Sequence, residues 1–348
     1  MTSARLLAFY LPQFYPIPEN DRWWGPGFTE WTNVAQARPL FAGHQQPQLP
    51  AHLGFYDLRV AEVREAQAEL TRQHAIEGFC YWHYWFHGKR LLGRPFDEVL
   101  ASGRPAFPFC LSWANETWSR RWHGTGQSNE VLQEQRYSAA DDVDHIRWLL
   151  PAFADTRYVT VHGRPLFFVY RPLELPDARR TIDLFRKECV RNGVKEPYFV
   201  GSNSHADRDY RELGFDATLE FEPQLGLLPG PTEPGLKIYD YAFARRRMMG
   251  RKRTFPTFPS MFVGWDNTPR RGENGIVFIN STPAEFEAGL REIVRDVSIK
   301  PYDERIVVIN AWNEWAEGNH LEPDLRFALG YLEAVKRVNA ALAAPQEA

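Results

Sequence analysis

The sequence predicts a (β/α)8 barrel of the α/β class, with long βα loops rich in aromatic residues. Three observations support this fold: eight strand-like runs, helical periodicity between them, and a length of 348 residues, which such barrels reach with insertions. The alternative, an open doubly wound sheet, would place a Gly-rich phosphate-binding turn after the first strand, where Gln13-Phe14-Tyr15-Pro16 stands instead. We therefore expect one domain over residues 1–348, ordered from 4 to 342, with a disordered tail at 343–348.

Each predicted strand is a short run of β-branched and aromatic residues, and each predicted helix repeats its apolar residues with helical spacing. The strands are Leu6–Leu11, Gly78–Trp82, Ala106–Trp113, Leu166–Arg171, Tyr198–Asn203, Ala217–Phe221, Ser260–Trp265 and Ile306–Trp312. The helices are Arg59–His74, Ala139–Phe153, Ala178–Asn192, Tyr239–Met249, Pro283–Val297 and Arg326–Leu342, with short ones near Phe96–Ala101 and Arg208–Leu213. This alternation predicts a parallel sheet that closes on itself.

Tryptophan is concentrated at the ends of the predicted strands. Of the 12 tryptophans, all but Trp148 fall in or just after a predicted strand. In a (β/α)8 barrel the C-terminal ends of the strands carry the functional site. Indole faces pack well against the C–H face of a sugar ring, while nearby polar side chains bind its hydroxyl groups. The distribution therefore predicts a carbohydrate site, although Trp113 and Trp312 can equally be core residues of the barrel.

The segment after the eighth strand carries the strongest catalytic signal. Within Asn310–Pro323, Glu314 and Glu317 stand three residues apart among asparagines and two tryptophans. Glycosidases generally use two carboxyl groups, about 5 to 5.5 Å apart in retaining enzymes and about 6.5 to 9.5 Å apart in inverting ones. The alternative is that both acids complement the dipole of a helix that begins here. The accompanying indoles and amides favour the catalytic interpretation.

We predict that Glu314 and Glu317 are catalytic and that other strand-end residues bind the substrate. The predicted substrate-binding residues are Glu30, Trp31, His83, Trp85, Trp113, Asn115, Glu116, Trp118, Glu222, Asp266, Trp312, Asn313, Trp315 and His320. The barrel requires Glu116 and Glu314 to lie at the same end.

Charge and cysteine usage disfavour several other classes of protein. Lys and Arg number 41 against 44 Asp and Glu, a net charge of −3, so neither nucleic acid nor an anionic membrane is a favoured partner. Cys80, Cys110 and Cys189 are scattered through apolar stretches, as expected for reduced thiols in a cytoplasmic protein. No apolar stretch reaches the roughly 18 residues of a transmembrane helix. The N-terminal run that ends at Pro12 lacks a signal-peptide cleavage site.

Two local patterns are compatible with metal binding, but each has a simpler interpretation. His83 and His87 are four residues apart without a third ligand nearby, which favours hydrogen bonding. The acidic segment 141–144 is similar to the metal-binding triplet of nucleotide-sugar transferases, but it follows Ser138 and opens a helical pattern, where acids complement the helix dipole. We expect neither a metal nor a cofactor.

Five segments of the chain resemble a known family. They are Tyr10–Phe14, Gly27–Val34, Gly78–Phe86, Leu111–Trp118 and Asn310–Pro323. They resemble the WbsX-type family, whose members are often labelled lipopolysaccharide-biosynthesis glycosyltransferases and are similar to glycoside hydrolase family 99. The resemblance to the WbsX type spans nearly the whole chain, and the resemblance to family 99 is mainly in the barrel and the last segment.

The resemblance to family 99 implies a (β/α)8 barrel that cleaves α-mannosides internally with retention. One carboxylate deprotonates the sugar's own 2-hydroxyl, which attacks C1 to form a 1,2-anhydro sugar, while a carboxylic acid protonates the leaving oxygen. The family's Asn-Glu-Trp-x-Glu-Gly sequence aligns with Asn313, Glu314, Trp315, Glu317 and Gly318. It implies that Glu314 is the base and that Glu317 is the acid, which later activates water.

The leading hypothesis is a retaining glycoside hydrolase that acts on a microbial polysaccharide or oligosaccharide. The alternative is a glycosyltransferase or transglycosylase in the biosynthesis of lipopolysaccharide O-antigen or another surface polysaccharide. A closed barrel without a diphosphate-binding turn disfavours a nucleotide-sugar donor, whereas transglycosylation needs only a sugar acceptor in place of water. A non-catalytic carbohydrate-binding barrel is the third hypothesis.

Overall fold

The chain folds into a parallel barrel, described by a computed structural model over residues 4–120, 130–230, 235–249, 251 and 253–341. Its strands are β1 Arg5–Tyr10, β2 Gly78–Phe86, β3 Phe109–Trp113, β4 Arg164–Val169, β5 Tyr198–Ser202, β6 Ala217–Leu219, β7 in two parts (Thr257–Phe258 and Ser260–Phe262), and β8 Ile306–Asn310. Neighbouring strands pair in chain order, and β8 pairs in parallel with β1 from the register Arg5 with Ile306. The predicted (β/α)8 fold is confirmed, while Trp122 and the tail at 343–348 lie outside the described residues.

Pro259 divides β7 into two parts and leaves the ring of strands almost continuous. The first part pairs with β6 and the second with β8. A proline has no N–H for the ladder, but the Pro259 carbonyl still accepts a hydrogen bond of 3.1 Å from the Val308 N–H. The strand therefore holds both neighbours despite the interruption.

Ten α-helices are assigned within the described residues. They are α1 Pro18–Trp24, α2 Glu30–Gln36, α3 Ala61–Gln73, α4 Arg94–Ser102, α5 Ala139–Phe153, α6 Ala178–Arg191, α7 Tyr241–Met248, α8 Thr268–Arg271, α9 Pro283–Ser298 and α10 Gly330–Ala341. The sequence did not predict α1, α2 and α8, because helices of four to seven residues are too short to show periodicity. The helix expected near 208–213 is only a short 3-10 turn, Arg211–Leu213.

The acidic segment at 141–144 lies at the start of α5, as predicted. The Ser138 hydroxyl caps this helix by accepting a hydrogen bond from the Asp141 N–H at 3.1 Å. The two acids in the first turn, Asp141 and Asp142, lie where the helix dipole favours negative charge.

Side chains from the strands fill the barrel interior. Every residue of β1, β3 and β8 is buried. Trp113 and Trp312 are 1% and 0% exposed, which supports their interpretation as core residues. All three cysteines are buried free thiols, as expected. None of the helices in the described ranges combines the length and apolar character that crossing a bilayer requires.

Candidate active site

A cavity of about 730 Å³ opens at the C-terminal end of the barrel, and residues from β2 and from the segments after the other seven strands line it. Its lining includes Gln13 and Trp23 after β1, Trp82 and Tyr84 of β2, Glu116 and Trp118 after β3, Tyr170 after β4, His205 and Asp207 after β5, Phe221 and Gln224 after β6, Trp265 and Arg270 after β7, and Glu314 and Glu317 after β8. Glu116 and Glu314 therefore lie at the same end of the barrel, as the fold required. The wall is rich in aromatic side chains, and the charged groups are concentrated at a few positions.

Glu314 and Glu317 are presented by a tight hairpin after β8. Asn313–Glu314 pairs with Asn319–His320 as a short antiparallel ladder, and Trp315–Glu317 forms a 3-10 turn between them. Gly318 ends the turn in the left-handed region with φ 57°, where a Cβ atom would lie 2.9 Å from the Asp266 Cβ. Only glycine fits both requirements. The hairpin consequently places both carboxylates on the cavity wall.

One guanidinium, that of Arg270 in α8, connects three carboxylates. Its Nη1 lies 2.6 Å from Glu317 Oε1 and its Nη2 lies 3.4 Å from Glu314 Oε2. Nη2 and Nε also contact Glu30 Oε1, and the Glu30 side chain is fully buried at the start of α2. Three acids therefore share one positive charge in a largely buried position.

The local charge balance favours retention of protons by this cluster. Burial, reinforced by the negative charge of Glu317, raises the pKa of Glu314 to about 8, against the opposing effect of Arg270. Burial likewise raises the pKa of Glu317, and Arg270 again opposes the shift. Burial by itself would lower the pKa of Arg270, but Glu30, Glu317 and Glu314 together raise it. The two catalytic candidates therefore form a coupled pair that holds a proton near neutral pH.

Trp82 forms an aromatic surface next to the carboxylate pair. Its indole stacks on Phe9 with ring centroids 4.6 Å apart and an interplanar angle of 2°, and Tyr170 meets it edge-on at 5.4 Å. A hydrogen bond between Trp82 and Glu314 partly opposes the rise in the carboxyl pKa. The outer wall is similar, since Trp118 packs edge-on against Tyr84 at 5.0 Å. A sugar ring lying on Trp82 would have its hydroxyl groups close to Glu314.

Glu116 is another acid on the cavity wall. Burial raises its pKa to about 7, although the positive charge of Arg171 opposes the shift. The nearest guanidinium nitrogen of Arg171 lies 3.8 Å away. Glu116 can therefore exchange a proton or accept hydrogen bonds from a ligand near neutral pH.

His83 and Trp85 lie outside the cavity. The predicted strand ended at Trp82, but β2 continues to Phe86. Because successive side chains of a strand point to opposite faces, Trp82 and Tyr84 line the cavity while His83 and Trp85 pack against α5. His83 Nε2 lies 2.8 Å from His145 Nε2, and the Trp85 indole N–H donates to Asp141 at 3.0 Å.

Several other predicted substrate-binding residues form the support behind the cavity wall. The Trp31 indole donates to the Tyr56 carbonyl at 2.8 Å, and Asn115 bonds to the Arg171 backbone and to Tyr137. Trp113, Trp312, Asn313 and Trp315 are buried and do not line the cavity. Glu222 pairs with Arg251 at 2.7 Å.

A smaller neighbouring cavity of about 310 Å³ contains Asp266 and His320 in its lining. Asp266 accepts hydrogen bonds from His44 at 2.8 Å and from Gln46 at 2.7 Å. His320 stacks on Trp315 with ring centroids 3.7 Å apart and bonds to Gln48 at 2.9 Å. The Asp266 contacts hold the long loop after β1 against the segment after β7, and the contact between Gln48 and His320 holds it against the hairpin that carries Glu314. Among the described residues, His, Cys, Asp and Glu side chains form no group of three or more that could hold a metal ion.

Sequence reasoning missed several residues of the cavity wall, including Arg270, Trp82, Tyr84 and Tyr170. Strand alternation would have identified Trp82 and Tyr84 if the end of β2 had been located correctly. No local pattern marked Arg270, because its short helix shows no periodicity and its acidic partners lie far away in the sequence.

Comparison with known proteins agrees with this architecture. The model of a family described as Glycosyltransferase WbsX matches residues 6–335. Two relatives from strains of Xanthomonas campestris pv. campestris, each named Uncharacterized protein WxcX, are 42% identical over 344 residues, 96% of this chain and 49% of the relative. The chain thus spans about half the length of the curated relatives it matches.

Three solved structures share the fold. The GH99 endo-alpha-mannosidase from Bacteroides thetaiotaomicron has a TM-score of 0.58 at 16% identity, covering 97% of both chains. The same enzyme in complex with bis-tris propane has a TM-score of 0.61 at 16% identity, again covering 97% of both chains. A glycoside hydrolase-like protein has a TM-score of 0.60 at 12% identity, and the alignment covers 97% of this chain and 94% of that protein's chain.

At these identities the structural likeness shows the fold alone, whereas the sequence matches show the family. The protein belongs to the Glycosyltransferase WbsX family and has the barrel fold of the family 99 glycoside hydrolases.

Proposed function

We propose that the protein is a retaining glycoside hydrolase that acts on a microbial polysaccharide or oligosaccharide, with Glu314 and Glu317 as its catalytic pair. The observation that carries the proposal is this carboxylate pair, held by one arginine beside the Trp82 ring in an aromatic cavity. Two carboxyl groups next to a sugar-sized aromatic surface are the components that glycoside cleavage requires.

The proposed reaction proceeds through the substrate's own 2-hydroxyl. Glu314 accepts the proton of this hydroxyl while O2 attacks C1, and Glu317 donates its proton to the leaving oxygen as the C1–O bond breaks. Glu317 then accepts a proton from water, whose oxygen opens the 1,2-anhydro ring at C1, and Glu314 returns its proton to O2. Two inversions at C1 give net retention, and both carboxyl groups regain their starting states.

This reaction requires one neutral and one ionised carboxyl group. Burial raises the pKa of Glu314 to about 8 and also raises the pKa of Glu317, while the 2.6 Å contact with Arg270 favours ionised Glu317 in the free protein. The reactive state in our assignment is the one with the proton on Glu317. Because the two groups titrate as a unit, a sugar hydroxyl that bonds to Glu314 can favour this state.

Glycosyl transfer to a sugar acceptor is the second candidate, since the family description names a glycosyltransferase. The same pair would perform it with an acceptor hydroxyl in place of water. The charges on the wall argue against a nucleotide diphosphate donor. Among the described lining residues the arginines are Arg270 and Arg271, and three carboxylates contact Arg270. A diphosphate here would face Glu116, Glu314 and Glu317.

The proposal is tested by incubation with a panel of oligosaccharides, beginning with α-mannosides, and of nucleotide sugars, with products resolved by mass and anomeric configuration. We expect hydrolysis with retention, and loss of turnover in a Glu314→Gln, Glu317→Gln double variant. Release of a free nucleotide by the wild type, with the oligosaccharides left intact, would support a nucleotide-sugar transferase and overturn the hydrolase proposal.

The charge state of the pair predicts how turnover depends on pH. Burial raises the pKa of Glu314 above its ordinary range to about 8, so the pair keeps a proton below that pH and loses it as the pH rises. We therefore expect kcat/KM to fall as the pH rises through about 8, because the acid is then absent. A kcat/KM that stays constant from pH 6 to pH 10 would contradict this assignment.

Trp118 and Trp31 form a matched pair for the aromatic wall. Trp118 lines the cavity, so Trp118→Ala is expected to weaken sugar binding by about 0.5 to 1.5 kcal/mol beyond simple burial while the fold survives. The sequence led us to expect the same of Trp31, but Trp31 packs against Phe14 and Trp315 inside the protein. Trp31→Ala should instead lower the free energy of unfolding by about 3 to 5 kcal/mol.

Calorimetric sugar binding and denaturant unfolding distinguish these two effects. We expect Trp118→Ala to change mainly the affinity and Trp31→Ala mainly the stability. Unchanged affinity in well-folded Trp118→Ala protein would show that this indole contacts only protein.

A further inference from the structure

A carboxyl group that the proposed reaction does not use lies behind the catalytic hairpin. It belongs to Glu322, which is 2% exposed. We propose that Glu322 is a positioning residue that fixes Glu314 by holding the residues on both sides of it. The inference rests on the proposed function in one respect only, namely that Glu314 is the reacting group.

Three donors from different parts of the chain converge on Glu322. Its Oε2 accepts hydrogen bonds from the Trp315 indole N–H at 2.6 Å and from the Tyr56 hydroxyl at 2.8 Å. Its Oε1 accepts one from the Gln67 side-chain amide at 2.7 Å. Burial raises the pKa of Glu322 to about 7, and these three donors together with the Trp312 indole oppose the rise. Hydrogen bonds therefore compensate the buried carboxylate.

The contacts of Glu322 reach both neighbours of Glu314. Trp315, which follows Glu314, bonds to Glu322 directly. Asn313, which precedes Glu314, donates to the Tyr56 hydroxyl at 3.2 Å, and that hydroxyl donates onward to Glu322. Asn313 also exchanges two hydrogen bonds with the backbone of Leu11 beyond β1, at 2.7 and 3.0 Å. Glu322 thus holds the side chain that follows Glu314 directly and the side chain that precedes it through the Tyr56 hydroxyl.

The network requires an acceptor at position 322. An indole N–H can only donate, and the Tyr10 hydroxyl donates to Gln67 Oε1 at 2.7 Å, which turns the Gln67 NH2 group toward Glu322. A carboxylate accepts all three donors at once. An amide in its place would direct an NH2 group at one of them and leave two donors facing each other.

The first test replaces this acceptor by Glu322→Gln. We expect kcat to fall by about 10- to 100-fold with a smaller change in KM, because a supporting contact is lost while the cavity wall is intact. In nitrogen-15 spectra of the free protein, the chemical shift of the Trp315 indole N–H should change; this signal is assigned with the variant Trp315→Phe. The carboxyl carbon of Glu314, assigned with Glu314→Gln, should titrate at a different pH. A purely structural role would change the thermal midpoint and leave the Glu314 titration as it is in the wild type.

The double variant Gln67→Glu, Glu322→Gln is the matched control. It exchanges the carboxylate and the amide of the hydrogen-bonded pair at positions 67 and 322. The amide oxygen at position 322 then accepts hydrogen bonds from Trp315 and Tyr56, and its NH2 group donates to the carboxylate at position 67. That carboxylate also accepts the hydrogen bond from Tyr10. We expect this swap to restore the Glu314 titration and most of kcat. The proposal would be overturned if Glu322→Gln had the kcat and the Glu314 titration of the wild type. It would also be overturned if the double variant folded but restored neither the kcat nor the Glu314 titration.

The spectroscopic measurements need no substrate. If the wild type cleaves no glycoside but Glu314 and Trp315 respond as expected, the hydrolase proposal fails and the positioning role stands. If the wild type cleaves glycosides and Glu314 does not respond, the positioning role fails alone.

Discussion

Glu317→Gln is expected to abolish turnover of substrates with a basic leaving oxygen while sparing part of the turnover of activated aryl glycosides. Protonation of the leaving oxygen contributes about 10² to 10⁴ in rate, and only when that oxygen needs a proton to depart. Glu314→Gln should fail on both kinds of substrate, because the attacking 2-oxygen must be generated in every turnover. Steady-state kcat/KM for matched natural and aryl substrates measures the difference.

Substrates that lack the attacking group provide the control for this prediction. A 2-deoxy or 2-O-methyl glycoside should bind to the wild type and remain uncleaved. Brisk cleavage of either compound would rule out participation of the 2-hydroxyl, and full activity in both glutamine variants would remove the pair from catalysis.

The two variants also decide which carboxyl group is the acid. The resemblance to family 99 implies Glu317, whereas the contacts of Arg270, 2.6 Å to Glu317 and 3.4 Å to Glu314, favour an ionised Glu317 in the free protein. Selective sparing of aryl glycosides in Glu314→Gln would mean that the two roles are reversed. Selective sparing in Glu317→Gln would assign the acid to Glu317, as the resemblance implies.

The fold was predictable because each strand is marked locally by its own composition. The eight runs of β-branched and aromatic residues correspond to β1 to β8, although the seventh run was predicted to begin at Ser260 and left out the first part of β7, Thr257–Phe258, which precedes Pro259. The end of β2 was not predictable in this way, because Gly78–Phe86 is apolar and aromatic throughout and has no stop signal at Trp82. That error placed His83 and Trp85 in a loop after the strand, where a strand's alternation does not apply, whereas in β2 they lie on the face opposite to Trp82 and Tyr84.

The charge cluster shows what sequence patterns could not reveal. Glu314 and Glu317 stand out because they are close together in the sequence. Arg270 and Glu30 are 240 residues apart and meet only through the packing of two short helices. Glu322 is equally inconspicuous, since its three donors come from the loop after β1, from α3 and from the hairpin.

Removing the cation by Arg270→Met should destabilise the protein, and more strongly as the pH rises. The side chain of Arg270 is 12% exposed and contacts Glu30, Glu314 and Glu317, so its loss leaves three mostly buried acids without their cation. Breaking a buried ion pair by removing one partner costs about 3 to 5 kcal/mol. Turnover should fall as well, because Glu317 loses the contact of 2.6 Å that holds it.

The pH dependence follows from the direction of the pKa shifts. Burial raises the pKa of Glu314 and Glu317 above their unfolded range, and Arg270 limits the rise. Consider a carboxyl group whose pKa is higher in the folded protein than in the unfolded one. Its contribution to the free energy of unfolding falls as the pH rises from the unfolded pKa, about 4.3, toward the folded pKa. Without Arg270 both folded pKa values increase further, so the stability lost by Arg270→Met is small near pH 4 and grows toward pH 8 and above.

Denaturant midpoints of the wild type and Arg270→Met at pH 5 and pH 8 test this expectation, with Arg270→Lys as the control. Lysine keeps a positive charge next to Glu30, Glu314 and Glu317 and removes only the planar guanidinium. Arg270→Lys should therefore leave the difference between the two pH values close to that of the wild type. An Arg270→Met protein equally destabilised at both pH values would show that packing, and not charge, is what this arginine contributes to the three carboxylates.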